Sequence, residues 1–252
     1  MIATPYGAEQ RALARSAVRR FTYGIAGSHD LGARVRYAAV EPELRRIAPP
    51  ARVLDAGSGK GELCFAMARR WPHARIVGVE MEAELVDHAV RIKTAAMPEA
   101  HVRFERDTLP RRFDEPFDLV VSIDVLEHVD DDRGFVQSLA DALAPGGSLI
   151  LHTPSVNQWR FLGEFEEQHD HVRDGYEKAH LARLLDEAGL REVSVRSTFG
   201  TLGAIGWEGF ALARRGNIAA RAALPLWYVL SAIDTRRRPS YGLGLLATAR
   251  RA

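Results

Sequence analysis

Nine residues constrain this chain more than any others: Val53-Leu54-Asp55-Ala56-Gly57-Ser58-Gly59-Lys60-Gly61. Arg52 to Asp55 reads as a short buried strand with an apolar centre. A glycine-dense turn follows at once, and then an apolar-periodic helix from Glu62 to Trp71. Glycine admits positive φ and lets a ligand approach the backbone closely. The helix N-terminus leaves free N–H groups beside that ligand. Strand, loop and helix together predict a nucleotide-type pocket.

Spacing narrows the ligand. A dinucleotide fingerprint requires G-x-G-x-x-G, but the glycines stand at 57, 59 and 61, and Glu62 occupies the third required place. A phosphate-cradling loop requires G-x-x-x-x-G-K-S/T. Gly59-Lys60 matches its end, yet Leu54 and Gly61 occupy the flanking positions. What remains is Asp-x-Gly-x-Gly-x-Gly, which resembles the first motif of class I S-adenosylmethionine-dependent methyltransferases.

Further matches follow in that family's order. Arg75–Glu80 reads as a second strand ending in an acid, with Glu80 nineteen residues after Gly61. A carboxylate there can accept hydrogen bonds from both hydroxyls of a ribose. His101–Asp107 gives a short strand and another acid, Phe117–Asp124 a fourth strand, and Leu143–Leu151 a Pro-Gly-Gly turn into a fifth. The resemblance covers residues 44–195 and implies S-adenosylmethionine as cofactor, with S-adenosylhomocysteine as product. It implies that Gly57, Gly59 and Gly61 wrap the amino-acid end of the cofactor. It also implies that Asp55 supports the loop or the ammonium group, that Glu80 holds the ribose and that Asp107 meets the adenine. Ser58, Met81, Thr108 and Asp124 complete the expected cofactor-binding set.

The expected fold is α/β: a doubly wound, mostly parallel seven-stranded sheet with helices on both faces. Residues 1–50 precede the first strand and read as helices over Gln10–Phe21 and Leu31–Ile47, stopped by Pro49-Pro50. They form a helical segment that is either a lid or a cover for the sheet edge. Residues 51–200 form the cofactor-binding core, residues 201–240 an inserted helical segment, and residues 241–252 the last strand. The resemblance implies that this last strand runs antiparallel.

Net charge is +1, which gives no overall reason to expect nucleic acid as a partner. Of the 34 basic residues, 31 are Arg, a skew read as genome composition. The charge is uneven: residues 197–252 carry eight Arg against Glu208 and Asp234, a net of +6, so the preceding residues net −5. In the insertion, Trp207, Phe210, Leu224, Leu226, Trp227 and Tyr228 stand beside Arg214, Arg215, Arg221 and Arg236–Arg238. That mixture suits helices burying their own apolar stripes, or peripheral contact between residues 201–240 and a membrane surface. One cysteine, Cys64, excludes an intramolecular disulfide and fits a reducing compartment. With no signal peptide or spanning segment apparent, the expected location is the cytoplasm.

The acceptor side is less legible. Asp124-Val125-Leu126-Glu127-His128 follows the fourth strand, and Glu166–His171 follows the fifth; both lie at the carboxyl end of the sheet, where ligands of open α/β folds bind. His128, His169 and His171 are the candidate catalytic residues, since histidine transfers protons near neutral pH. The Asp-x-x-Glu-His run resembles the Glu-x-x-Glu-His element of ubiquinone-pathway and small-RNA 2′-O-methyltransferases, where it can hold a divalent cation. Asp124 shortens that reach, and no metal is assigned. A histidine base, a held cation and a structural turn all fit the run. The functional expectation is methyl transfer, foremost to oxygen, on a small or amphiphilic molecule. The alternatives are a cofactor-binding module without transfer and a protein using the same cofactor for another reaction. A dehydrogenase is disfavoured by the glycine spacing.

Overall fold

Seven strands form one sheet: β1 Arg52–Ala56, β2 Arg75–Glu80, β3 Val102–Arg106, β4 Phe117–Ile123, β5 Leu143–Pro154, β6 Leu190–Thr198 and β7 Gly244–Arg251. Their order is β3-β2-β1-β4-β5-β7-β6. β1 pairs in parallel with β2 and β4, and β7 runs antiparallel between β5 and β6. The computed structural model describes residues 4–157, 161–162, 172–234 and 239–252. Its helices are α1 Ala17–Ala26, α2 Leu31–Leu44, α3 Glu62–Arg70, α4 Ala83–Ala96, α5 Asp132–Ala142, α6 Lys178–Glu187, α7 Thr201–Arg214, α8 Ile218–Ala222 and α9 Leu224–Asp234.

The central strands are apolar on both faces because both faces are covered. Successive side chains point to opposite sides. Val53, Ile76, Leu119, Leu246 and Ile150 therefore pack with Val40 and Leu44 of α2 and Leu63, Cys64 and Met67 of α3. Leu54, Val77, Val120, Leu149 and Leu245 pack on the other face with Phe135 and Leu139 of α5 and Leu181, Leu184 and Leu185 of α6. The strand order reverses at β1 and β4, which opens a crevice at their carboxyl ends.

Three boundaries differ from expectation. The predicted helix Gln10–Phe21 is broken: a short 3-10 helix covers Ala8–Leu13, and α1 begins only at Ala17. Ser16 is extended there, and its hydroxyl accepts the Arg19 N–H at 3.2 Å, which starts a new helix. The second helix ends at Leu44, before Pro49-Pro50, because its last turn tightens: the Arg46 N–H bonds the Glu43 carbonyl at 3.0 Å. β7 begins at Gly244 instead of Tyr241.

Between β6 and β7 the described residues form three helices, α7, α8 and α9. α7 and α9 pack closely because Gly203, Gly206 and Gly209 fall on one face of α7. A Cβ on Gly206 would lie 2.7 Å from the Trp227 carbonyl oxygen, and one on Gly209 would run into the Trp227 ring. Gly200 N–H donates to the buried Asp234 carboxylate at 2.7 Å and ties the two ends of the insertion together. Among the described residues, no helix is long and apolar enough to cross a membrane.

Candidate cofactor and acceptor site

The glycine loop is a left-handed turn, with φ of 85° at Gly57, 52° at Gly59 and 76° at Gly61. Gly57 and Ser58 N–H both donate to the Val79 carbonyl, at 2.8 and 2.9 Å, which binds the loop to β2. A Cβ on Gly57 would run into Val125, whereas one on Gly59 would meet nothing within 4 Å. The loop is thus tight against the protein at Gly57 and open at Gly59. Gly61 caps α3 and packs under Phe104, outside the cleft lining. The buried Ser58 hydroxyl has no hydrogen-bond partner.

Two acids flank this loop. Glu80 ends β2, and its carboxylate accepts the Gly59 N–H at 2.9 Å and the Glu82 N–H at 3.0 Å. Asp55, next to the end of β1, is 2% exposed and accepts the Cys64 thiol at 3.1 Å. Burial pushes the Asp55 carboxyl up to about 7, partly offset by the Cys64 hydrogen bond. Glu62, at the start of α3, is pushed up to about 6, again by burial first. Buried acids on this wall favour a cationic ligand.

A cleft of about 1570 Å³ runs from this loop across the carboxyl ends of the central strands. Asp55, Gly57, Ser58, Gly59, Glu80, Met81, Asp107, Thr108, Asp124 and His128 all line it. Asp107 accepts Arg111 at 2.6 Å and the Thr108 N–H at 2.8 Å. His169 and His171 lie outside the described residues. The N-terminal segment supplies another wall through Tyr6, Gln10 and Tyr23. It is fixed there by the Ser28 N–H donating to the Tyr6 carbonyl at 2.7 Å and by a Gln10–His88 hydrogen bond of 2.7 Å. Trp207, Phe210 and Arg214 of α7 line the far end.

The centre of the cleft holds a network that sequence reasoning did not assemble. Asp124 sits at φ 51°, an unusual conformation for a residue other than glycine. Its carboxylate ion-pairs with Arg36 of α2 and bonds His152 Nδ1 at 2.5 Å. His152 Nε2 in turn bonds Thr198 Oγ1 at 2.8 Å. Burial opposes ionisation of Asp124, but Arg36 and His152 together hold its carboxyl well below the usual range. Beside it, Glu127 is 1% exposed and accepts Thr153 Oγ1 at 3.1 Å. Burial and the Asp124 charge push Glu127 up to about 8. His128, on the same 3-10 turn, faces outward at the rim. His152 carried one legible signal: a polar residue directly after the apolar run Leu149-Ile150-Leu151. Among the described residues, no three His, Cys, Asp or Glu side chains gather as metal ligands.

The methyltransferase-domain family profile matches residues 30–195, about two thirds of the chain. The chain belongs to that family. That places it among the class I S-adenosylmethionine-dependent methyltransferases. Curated relatives include a trans-aconitate 2-methyltransferase of Streptomyces avermitilis, 33% identical over 62% of this chain and 52% of its own length. A ubiquinone biosynthesis O-methyltransferase of Idiomarina loihiensis is 29% identical over 57% of this chain and 63% of its own. The chain spans about half the length of the curated relatives it matches, with values from 36% among the trans-aconitate enzymes. Its fold is shared with phosphoethanolamine N-methyltransferase 2 of Haemonchus contortus, solved with S-adenosylmethionine. There the TM-score is 0.60 at 16% identity, over 94% of this chain and 60% of the other. The cleft fits this cofactor. Gly59 leaves room for a ligand, the Ser58 hydroxyl is buried without a partner, and acids face the space that a sulfonium and an ammonium group would enter.

Proposed function

We propose that this chain methylates an oxygen of a small or amphiphilic acceptor. The carrying observation is the continuity of the cleft, from the glycine loop and Glu80 to the Trp207, Phe210 and Arg214 wall. S-adenosylmethionine supplies the activated methyl group. Gly57, Ser58, Gly59 and Gly61 shape the loop for its amino-acid end, and Asp55 offers a carboxylate to the ammonium group. Glu80 and Met81 serve the ribose, Asp107 and Thr108 the adenine, and Asp124 borders the methyl end. Arg36 and His152 act as positioning residues by fixing Asp124. The protein's main contribution is alignment.

The aromatic wall favours an apolar acceptor body, and Arg214 suits an anionic group on it. The name of the Idiomarina relative, an O-methyltransferase, supports oxygen as the methylated atom. If the acceptor is a hydroxyl, its proton must leave, and a group titrating near neutrality suits that step. Glu127, pushed up to about 8, is the described candidate, and His128 joins it only by lining the cleft rim. His169 and His171 join them on sequence position alone. The buried free Cys64 fits a reducing, cytoplasmic location.

The test couples two measurements. Release of S-adenosylhomocysteine is followed with a panel of amphiphilic hydroxyl and carboxyl compounds. The paired variant Trp207→Ala/Phe210→Ala should raise KM for the acceptor about tenfold or more with cofactor affinity retained. Glu80→Ala should weaken S-adenosylmethionine binding by about ten- to a hundredfold, the loss of a charge-assisted hydrogen bond. Unchanged cofactor affinity in folded Glu80→Ala sinks the cofactor assignment. Unchanged KM in the paired variant sinks the acceptor wall.

A further inference from the structure

Helix α1 buries none of its own residues. Its apolar side chains nonetheless fall on one stripe: Val18, Phe21 and Ile25 are spaced three and four apart. They are 72%, 68% and 65% exposed. An amphipathic helix on a globular protein normally turns such a stripe inward. Here the stripe faces solvent, while Tyr23 on the opposite side stacks on His29 at 3.9 Å between ring centroids. Leaving three large apolar groups together in water is unfavourable by the usual measure of apolar area.

The charge around the stripe is of one sign. Residues 11–29 contain Arg11, Arg15, Arg19 and Arg20 and no acid. All four arginines are exposed: Arg19 follows Val18 in the first turn of α1, and Arg15 stands just before its Ser16 cap. Across the cleft mouth, α7–α9 repeat the pattern. Their two acids, Glu208 and Asp234, are buried, whereas Arg214, Arg215 and Arg221 are exposed. Leu226 and Val229 of α9 are also about half exposed. Tyr23, on the other side of α1, and Arg214 of α7 both line the cleft.

We propose that α1 lies in the headgroup layer of an anionic lipid surface. Val18, Phe21 and Ile25 enter the boundary with the acyl chains, and Arg15 and Arg19 meet the lipid phosphates. An exposed apolar stripe with exposed arginines at and before the start of its helix, and no acid for nineteen residues, is complementary to such a surface and to few others. Docking there would set the cleft mouth beside the membrane. The inference extends the reading of an amphiphilic acceptor, but its test does not depend on methyl transfer.

The full chain is sedimented with phosphatidylcholine vesicles and with vesicles containing about 30% phosphatidylglycerol. The proposal expects binding to the anionic vesicles at least about tenfold tighter than to the neutral ones, weakened by added salt. The variant Phe21→Glu/Ile25→Glu should lose about tenfold or more, and Arg15→Ser/Arg19→Ser should lose a smaller but clear fraction. Each variant is checked for retained S-adenosylhomocysteine affinity by calorimetry, which reports a folded cofactor site and tests the methyltransferase reading separately. Equal binding to both vesicle types overturns the proposal, as does undiminished binding by folded Phe21→Glu/Ile25→Glu. A dimer dissolved by the same substitutions, with no vesicle binding by the wild type, also overturns it and assigns the stripe to a second copy of the chain.

Discussion

Asp55 illustrates how much of the site's chemistry resides in single residues. A carboxyl group pushed up to about 7 by burial is only partly ionised in the free protein at neutral pH. A cationic cofactor beside it favours the ionised form. Below about pH 7 the group must therefore lose a proton before it can pair, and affinity falls as pH falls. Calorimetric affinity for S-adenosylmethionine should accordingly rise by up to about tenfold per unit towards pH 7 and flatten above it. Asp55→Asn should bind more weakly at pH 8 and show a much shallower slope below 7. A wild-type affinity independent of pH between 5.5 and 8 would remove Asp55 from the ammonium site. The motif around Asp55 was legible because strand, turn and helix are adjacent in the chain. The Arg36–Asp124–His152–Thr198 network was not, because its members come from α2, the end of β4, β5 and β6 and meet only through tertiary folding.

Elements were legible where local pattern and burial agree. The strands β1, β2 and β4 lie near where apolar runs bounded by turns place them, and the parallel order follows from alternation with helices. The insertion was legible as apolar and helical but not as three helices. The contact that organises it is a row of glycines, Gly203, Gly206 and Gly209, and glycine lowers helix propensity by about 1 kcal/mol per residue. Local preference argues against α7, whereas close approach of α9 requires those positions. The break at Ser16 was missed for the converse reason: one side-chain cap outweighs a continuous apolar pattern. Gly206→Ala tests the argument. Its Cβ would press on Ser231 and the Trp227 carbonyl, so α9 must shift, with a cost of about 1–3 kcal/mol. The expected outcome is faster amide exchange across α9 and a melting temperature lower by roughly 2–10 °C. A gain in stability, as expected for Gly to Ala in an uncrowded helix, would show that the α7–α9 contact is looser than described.

At the scale of the whole molecule, the cleft is a cost to the empty fold. Asp55, Glu62 and Glu127 are raised to about 7, about 6 and about 8, each chiefly by burial. For an acid whose folded pKa lies above its unfolded value, the folded state binds the proton more tightly. Its stabilising contribution is complete below the unfolded value near pH 4 and is lost as pH rises through the folded value. The sum for these three acids is a loss of stability between about pH 4 and pH 8. Asp124 acts in the opposite sense, since Arg36 and His152 lower its pKa, but that contribution is lost only in strong acid. The free protein should thus melt at a lower temperature at pH 8.5 than at pH 6. Each raised acid contributes up to about 1.4 kcal/mol per pH unit while it titrates. Glu127→Gln cannot ionise and should reduce the difference. S-adenosylmethionine, bringing positive charge to the Asp55 wall, should stabilise more at pH 8.5 than at pH 6 and narrow the gap. Melting curves at the two pH values, with and without cofactor, provide the check. A free protein that is equally or more stable at pH 8.5 would mean that water reaches these carboxyls and that the cleft is far more open than its buried acids indicate.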